Sequence, residues 1–232
     1  MSEPALEIQS LHKTFTLHVQ GGVRLSVLRG VSLAVAPGEC VVLADPSGSG
    51  KSTLLRVIYG NYVPQAGRIL VRHEGRLLDM AGAAPRCVLD VRRQTVGYVS
   101  QFLRVVPRVP VVDVVAEPLR SIGVGRAEAR ERARDILRRL AIPERLWSLS
   151  PVTFSGGEQQ RVNLARVFVV MYPVLLLDEP TAALDAESRR VVVDLIREAL
   201  QGGAAVLGTV HDREVRGQIA TRIETLGGSA VA

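Results

Sequence analysis

A glycine-rich segment near the start of the chain carries the groups that phosphate chemistry requires. It reads Pro46-Ser47-Gly48-Ser49-Gly50-Lys51-Ser52-Thr53. Its glycines let successive backbone N–H groups turn towards an anion, and the helix expected behind the loop adds its positive dipole end. Lys51 would reach the β- and γ-phosphates of a nucleotide, while the Ser52 hydroxyl would ligate Mg²⁺. The sequence therefore predicts a phosphate-binding loop composed of Ser47, Gly48, Ser49, Gly50, Lys51, Ser52 and Thr53.

One position departs from the usual form of such a loop. The full pattern has glycine five residues before Gly50, where this chain has Asp45. Aspartate tolerates a positive φ better than most residues do, so the turn can still form. A carboxylate about 8 Å from a phosphate would cost about 2 kcal/mol at an effective dielectric of about 20, before screening. Asp45 is thus expected to weaken nucleotide binding unless its side chain points away, and an inactive, purely structural protein is the alternative.

Two acidic residues follow an apolar strand in the second half of the chain, in Val174-Leu175-Leu176-Leu177-Asp178-Glu179. Adjacent carboxylates at a buried strand end need counter-charge, which Mg²⁺ provides. Asp178 is predicted to hold the Mg²⁺ shell, together with Ser52. Glu179 is predicted to orient or deprotonate an attacking water, because phosphoryl transfer needs a positioned nucleophile.

A second glycine-containing segment, Phe154-Ser155-Gly156-Gly157-Glu158-Gln159-Gln160-Arg161, precedes a helical pattern. The hydroxyl of Ser155 and the N–H groups of Gly156 and Gly157 can point from a helix N-terminus towards an anion. The segment therefore predicts a second group of phosphate ligands, separate from the glycine loop.

These segments lie on strands and helices that alternate along the chain. Strands are predicted at 40–44, 96–100, 174–177 and 206–210, and helices at 52–59, 111–139, 158–170 and 189–200. Such alternation predicts an α/β fold with a mostly parallel sheet covered on both faces. Ligands bind such sheets at the carboxyl ends of strands, where Gln101, Asp178, Glu179 and His211 are expected.

The order of these motifs resembles that of the ATP-binding cassette (ABC) family of P-loop ATPases. The resemblance implies one ABC domain over residues 1–232, with an antiparallel β-subdomain. Residues 1–100 and 166–232 would form the core, and residues 101–165 a helical subdomain. In that family Ser155, Gly156 and Gly157 would cap the γ-phosphate of ATP bound to a second cassette. The implied assembly is a head-to-tail dimer around ATP and Mg²⁺, with a second copy or a sister subunit, and the implied activity is ATP hydrolysis.

The same resemblance implies roles for four further residues. Gln101 would contact Mg²⁺ or water and transmit the nucleotide state to a docking surface. His211 would contact the γ-phosphate, and Asp185 would pair across the dimer. Phe15 would stack on adenine.

Shorter segments are similar to subunit L of the bacterial carbon–phosphorus lyase system, which degrades phosphonates. They are His12-Lys13-Thr14-Phe15-Thr16-Leu17-His18, Tyr59-Gly60-Asn61-Tyr62, Ser100-Gln101-Phe102-Leu103-Arg104-Val105 and Pro143-Glu144-Arg145-Leu146-Trp147. This similarity implies an alpha-D-ribose 1-methylphosphonate 5-triphosphate synthase-type subunit within a lyase core complex. The alternative is the ATPase subunit of an ABC permease of the lipoprotein-release or macrolide-export type. A groove near residues 101–115 would dock either partner.

Composition narrows the remaining classes of function. The chain has 232 residues and a net charge of +6, but its basic residues are interspersed with acidic ones, which does not support nucleic-acid binding. Its longest apolar run, 167–177, is shorter than the roughly 20 residues that a bilayer span needs. The two cysteines show no metal-ligand spacing. With no signal-peptide pattern at the start, the expected location is the cytoplasm.

Overall fold

Strands and helices alternate along most of the chain. The computed structural model describes residues 3–17, 22–101, 103 and 107–226. The strands are β1 (Leu6–Leu17), β2 (Val23–Val35), β3 (Cys40–Leu43), β4 (Ala66–His73), β5 (Arg76–Asp79), β6 (Val96–Val99), β7 (Val174–Asp178), β8 (Ala205–Thr209) and β9 (Arg222–Glu224). The helices are α1 (Lys51–Ile58), α2 (Pro85–Gln94), α3 (Val111–Ser121), α4 (Arg126–Arg139), α5 (Gly156–Phe168), α6 (Ala186–Gln201) and α7 (Arg213–Ile219).

A parallel sheet forms the centre of the molecule, with strand order β6-β7-β8-β3-β9. Every residue of β3, β7 and β8 is buried. Both faces of the sheet are covered, which explains why these strands are continuous apolar runs rather than alternating patterns. In β7, Val174 and Leu176 face one core while Leu175 and Leu177 face the other.

An antiparallel sheet of order β2-β1-β4-β5 packs over one face of the parallel sheet. Leu6 and Ile8 of β1 share a core with Leu54 and Leu55 of α1, which lies between the two sheets. The register of β1 shifts twice between residues 8 and 12 as it pairs with β2, so the strand bulges there. The antiparallel sheet therefore covers α1 on the side away from the parallel sheet.

The helices α3, α4 and α5 pack on one another at the other side of the molecule. Asp113 of α3 accepts two hydrogen bonds of 2.7 Å from the Arg130 guanidinium of α4. This bidentate pair holds the pKa of Asp113 below its usual value. The division into a core and a 101–165 subdomain stays a prediction; in the structure α5 continues to Phe168.

The predicted fold class is confirmed, with its mostly parallel core sheet, antiparallel sheet and helical part. Two details differ from the sequence expectation. The helical pattern over 111–139 is interrupted at residues 122–125, where Gly123 has a φ of 91°. The sequence did not predict β4, β5 or α2. β5 has four residues and α2 buries Val91 alone, so neither element gives a clear hydrophobic pattern. Within the described residues, no helix has the length and apolar character needed to span a membrane.

Gly67 in β4 provides a test of how tightly the antiparallel sheet is built. Its φ is 94°, and a Cβ there would lie 2.4 Å from the carbonyl oxygen of Ser10 and 2.6 Å from that of Gln9. We expect Gly67→Ala to lower the free energy of unfolding by about 2–4 kcal/mol, because backbone strain and a backbone clash add together. Urea denaturation would measure the change. Gly82→Ala is the matched control, since nothing lies within 4 Å of that added Cβ; equal effects of the two substitutions would contradict the prediction.

Candidate active site

The glycine loop connects the carboxyl end of β3 to the N-terminus of α1. Gly48 and Gly50 have φ values of 84° and 98°, which glycine adopts without strain. A Cβ on Gly50 would lie 2.8 Å from Cγ1 of Val27 in β2. The turn therefore depends on glycine for its backbone conformation and for its close packing, and it places the loop at the positive end of α1.

The loop and helix N-terminus have the donors that an anion needs. The first N–H groups of a helix have no intrahelical partner, and α1 has neither a side-chain cap nor an acidic residue in its first turn. Ser49 Oγ is buried without a hydrogen-bond partner. Lys51 is buried, and its Nζ donates to the carbonyl oxygens of Asp45 at 2.6 Å and Pro46 at 2.7 Å. Ser47 and Gly48 are exposed and Thr53 is half-buried, so this side of the loop is open to a phosphate.

A buried carboxylate lies beside this loop at the end of β7. Asp178 is 1% exposed, and its Oδ1 accepts hydrogen bonds from Ser52 Oγ at 2.8 Å and Thr209 Oγ1 at 3.3 Å. Its Oδ2 accepts a hydrogen bond from the Tyr98 hydroxyl at 3.2 Å. Among the described residues no ion pair neutralises Asp178. A carboxylate next to a serine hydroxyl is a donor set that suits Mg²⁺.

Glu179 and His211 meet at the same edge of the sheet. Glu179 has a φ of 52°, an uncommon conformation for a residue other than glycine. Its N–H donates to the carbonyl and the hydroxyl of Thr209, at 3.1 and 3.0 Å, which fixes this strained backbone. The Nε2 of His211 lies 3.0 Å from Glu179 Oε1. The pair can hold a water molecule against a phosphate, and strain at such a residue often accompanies function.

The residue after His211 is anchored by a contact that the sequence did not reveal. Asp212 caps α7 by accepting from the N–H groups of Glu214 and Val215, which lowers its pKa. Arg189 Nη1 donates to Asp212 Oδ2 at 2.8 Å, and Arg189 Nε donates to the carbonyl oxygen of Leu184 at 3.1 Å. Arg189 therefore links the His211 segment to the loop that precedes α6.

The segment Ser155–Gly157 forms the N-terminus of α5. Ser155 and Glu158 form a capping box, in which Ser155 Oγ donates to Glu158 Oε2 at 2.7 Å and the pKa of Glu158 is lowered. A Cβ on Gly157 would lie 3.0 Å from the Ala183 carbonyl oxygen. Gln160 Nε2 donates to the Pro180 carbonyl at 3.2 Å. This helix end therefore packs on the 180–185 loop.

The two anion-binding segments are not joined in the described chain. Ser155 and Gly156 are exposed, and no hydrogen bond links them to the glycine loop. Asp185 caps α6 by accepting from Ser188 N–H at 2.7 Å, an arrangement that lowers its pKa. Arg161 reaches this cap, with Nη1 4.0 Å from Asp185 Oδ2. The structure thus brings together one set of predicted site residues around Asp178 and another around Ser155.

Two further predicted residues lie on a groove beside β6 and on β1. Gln101 is exposed and lines a groove of about 470 Å³ beside β6. This groove, called the Tyr98 groove below, is lined by Arg56, Tyr59, Asn61, Tyr62, Tyr98, Ser100, Gln101, Asn163 and Arg166. Phe15 packs edge-on against Tyr62 at 5.2 Å, with Lys13 Nζ 4.9 Å from its ring centre. Stacking of Phe15 on adenine stays a prediction.

The Asp45 carboxylate has a specific partner in the C-terminal part of the chain. Its Oδ2 accepts a hydrogen bond of 2.9 Å from the Leu226 N–H, just beyond β9. The neighbouring Ala44 N–H donates to the Glu224 carbonyl. Asp45 therefore ties the start of the glycine loop to the segment after β9.

Replacement of Asp45 separates its charge from its anchoring role. Asp45→Asn retains an oxygen that can accept from Leu226 N–H and removes one negative charge near the loop. We expect ATP to bind about threefold more tightly, because screening reduces the repulsion to well under 2 kcal/mol. Titration calorimetry would measure the affinity. Asp45→Gly is the companion variant, with similar tightening but a lower melting temperature; an unchanged ATP affinity in both would show that the carboxylate is harmless.

Comparison with known proteins places these observations in one family. The family model described as ABC transporter matches residues 28–182. The chain is 39% identical over 221 residues to the lipoprotein-releasing system ATP-binding protein LolD of Maricaulis maris, covering 94% of this chain and 93% of that protein. It is 41% identical over 217 residues to LolD 2 of Caulobacter vibrioides, covering 93% and 91%. It is also 38% identical to the arginine transport ATP-binding protein ArtP of Haemophilus influenzae, covering 83% and 79%.

Solved structures agree with this placement. The dimeric structure of the ATP-binding cassette MJ0796, bound to ADP and Pi in a post-hydrolysis state, has a TM-score of 0.84 and 28% identity. The match covers 97% of this chain and all of that one. A second dimeric MJ0796 structure has a TM-score of 0.85. The chain belongs to the ABC transporter family of ATP-binding proteins.

Proposed function

We propose that this protein is the ATPase subunit of a membrane transporter of the lipoprotein-release type. The observation that carries the proposal is the 39–41% identity to LolD proteins along more than nine-tenths of this chain. The site geometry supports ATP hydrolysis, because Lys51, Ser52, Asp178, Glu179 and His211 lie around one edge of the parallel sheet.

Each residue of this edge has a distinct task in the proposed reaction. The glycine-loop N–H groups and Lys51 bind the β- and γ-phosphates, for which Lys51 exchanges its bonds to backbone carbonyls. Ser52 and Asp178 would hold Mg²⁺, which neutralises negative charge on the phosphates. Glu179 accepts a proton from, or orients, the attacking water, and His211 holds the Glu179 carboxylate in place.

The exposed Ser155–Gly157 segment supports a head-to-tail dimer. Ser155 and Gly156 are exposed and make no hydrogen bond to the glycine loop of their own chain, so this helix N-terminus is accessible to the site of a second cassette. The related MJ0796 cassette is dimeric in its solved structures. Two ATP molecules would therefore be enclosed between two cassettes, and hydrolysis would depend on dimerisation.

The Tyr98 groove is the proposed docking site for the transporter permease. Arg56 and Arg166 line this groove. Arg92 and Arg93 line its continuation, which contains one acidic lining residue, Glu117. A groove of this charge favours an acidic segment of the partner. The resulting proposal is that a permease segment carrying acidic side chains docks here.

The phosphonate interpretation receives no support from the relatives reported above, which are transporter ATPases. The short segments that suggested it include His18, Phe102, Arg104 and Val105, which lie outside the described residues. A ribose-triphosphate transfer activity is likewise unsupported. By analogy with the LolD proteins, lipid-modified proteins are the proposed cargo.

Glu179→Gln tests the proposed base. The amide cannot accept the proton but keeps the size of the side chain and an oxygen for His211. We expect the turnover number to fall at least about 100-fold, while ATP and Mg²⁺ produce a stable dimer in size-exclusion chromatography with light scattering. Glu128→Gln on the exposed face of α4 is the matched control and should keep full turnover. Unchanged turnover of Glu179→Gln would remove Glu179 as the base.

Partner capture tests the transporter assignment. The Glu179→Gln protein, loaded with ATP and Mg²⁺, would be used to retrieve partners from detergent-treated lysate of the native host. We expect mass spectrometry to identify a polytopic membrane protein, whose recovery falls when Arg93→Glu is added to reverse charge in the continuation of the groove. Retrieval of soluble phosphonate-degrading proteins instead would overturn the assignment.

A further inference from the structure

Arg189 bridges two segments that carry proposed reacting groups. It lies near the start of α6, where its Nε donates to the carbonyl oxygen of Leu184 at 3.1 Å and its Nη1 donates to Asp212 Oδ2 at 2.8 Å. Leu184 belongs to the loop that follows Glu179, and Asp212 directly follows His211. One guanidinium therefore connects the backbone beyond Glu179 with the backbone beyond His211.

These contacts close a circuit with the pair at the edge of the sheet. The Nε2 of His211 lies 3.0 Å from Glu179 Oε1, which joins the two segments at one end. Arg189 joins them at the other end. Supporting contacts of this kind keep a site in its working geometry, because movement of either segment has to break a hydrogen bond. The circuit therefore restrains the distance between the imidazole and the carboxylate.

Within this circuit, His211 depends on Arg189 more than Glu179 does. The Glu179 N–H donates to the carbonyl and hydroxyl oxygens of Thr209, so β8 holds Glu179 directly. His211 lies beyond the end of β8, and its side chain is 52% exposed. The cap that Asp212 forms on α7 connects it along the chain, whereas the bond from Arg189 connects it across to α6. Loss of Arg189 is thus expected to release the His211 segment and to leave Glu179 in place.

We propose that Arg189 is a positioning residue, which holds the His211 imidazole against the Glu179 carboxylate that orients the attacking water. The Arg189–Asp212 contact is partly shielded from solvent, and a hydrogen bond between two charged groups is stronger than one between neutral groups. A displacement of about 1 Å at a reacting group can lower a rate about 100-fold. This inference rests on the proposed function for the reaction that it affects, whereas the bridge itself is formed within this chain.

ATPase measurements on the full chain test this role. Arg189→Gln should lower the turnover number about tenfold, because a displaced imidazole no longer steadies the base. The Kd for mant-ATP should stay unchanged, since in the described chain Arg189 bonds to Leu184 and Asp212 rather than to the glycine loop. In a His211→Ala background, Arg189→Gln should cause no further loss of turnover, because the group that it positions is absent. A further loss in that background would indicate a general structural role and overturn the proposal.

Two further variants separate this bridge from ordinary packing of α6. Asp212→Asn keeps Oδ1 for the α7 cap and removes the acceptor for Arg189, so it should also lower turnover about tenfold. Combined with Arg189→Gln, it should add no further loss. Arg197→Gln is the matched control and should keep full turnover, because it removes a different hydrogen bond from α6 to α7, the one of 3.2 Å to the Gln218 carbonyl oxygen. Equal losses in Arg189→Gln and Arg197→Gln, or additive losses in the Arg189–Asp212 pair, would overturn the proposal.

Hydrogen–deuterium exchange of the nucleotide-free protein tests the bridge without ATP hydrolysis. Arg189→Gln should raise the exchange rate of amides in 209–216 at least about threefold, because the segment loses its bond to α6, while Arg197→Gln leaves that rate unchanged. Unchanged exchange in both variants would overturn the bridge, whatever the turnover. Wild-type protein without ATPase activity would refute the proposed function, and the exchange result would still decide whether Arg189 holds the His211 segment.

Discussion

The buried carboxylate of Asp178 is the constraint on which the centre of the molecule depends. A charge that is 1% exposed, with no neutralising ion pair in the described part of the chain, is costly unless hydrogen-bond donors surround it. Those donors come from α1, β6 and β8, through Ser52, Tyr98 and Thr209. Their convergence fixes the registers in which Asp178 pairs with Thr209 and Leu177 pairs with Val99. The hydrogen bonds that Asp178 requires and the strand order of the parallel sheet are therefore mutually consistent.

The same edge of the sheet carries separate negative and positive groups, which Mg²⁺ and the phosphates of ATP would neutralise. Asp178 and Glu179 supply negative charge, whereas the start of α1 and Lys51 supply positive charge, and Ser49 Oγ in the glycine loop is buried without a hydrogen-bond partner. A metal ion and a polyphosphate satisfy both requirements together. The Ser155–Gly157 helix end lies outside this set, which explains why a second cassette is part of the proposed site.

Much of this site could be predicted from the sequence, because its residues follow strand ends or occupy a glycine loop. Asp178, Glu179 and His211 are polar residues directly after apolar strands, and the structure brings them to one edge. Tyr98 and Thr209 could not be found in this way, since each lies within a strand whose pattern indicates only burial. The partner of Asp45 is 181 residues away, and no local pattern links Asp45 to Leu226. The relatives support the permease-ATPase alternative better than the phosphonate one, because identity along the whole chain carries more information than similarity of short segments.

Helix α1 contributes side chains both to the groove and to the proposed magnesium site. Ser52 lies in its first turn, and Arg56 lies four residues later, so the two side chains share one face of the helix. Ser52 donates to one oxygen of Asp178, and Arg56 lines the groove together with Tyr98, whose hydroxyl donates to the other oxygen. The groove and the proposed magnesium site are therefore linked through α1 and through Tyr98, and both links end at Asp178.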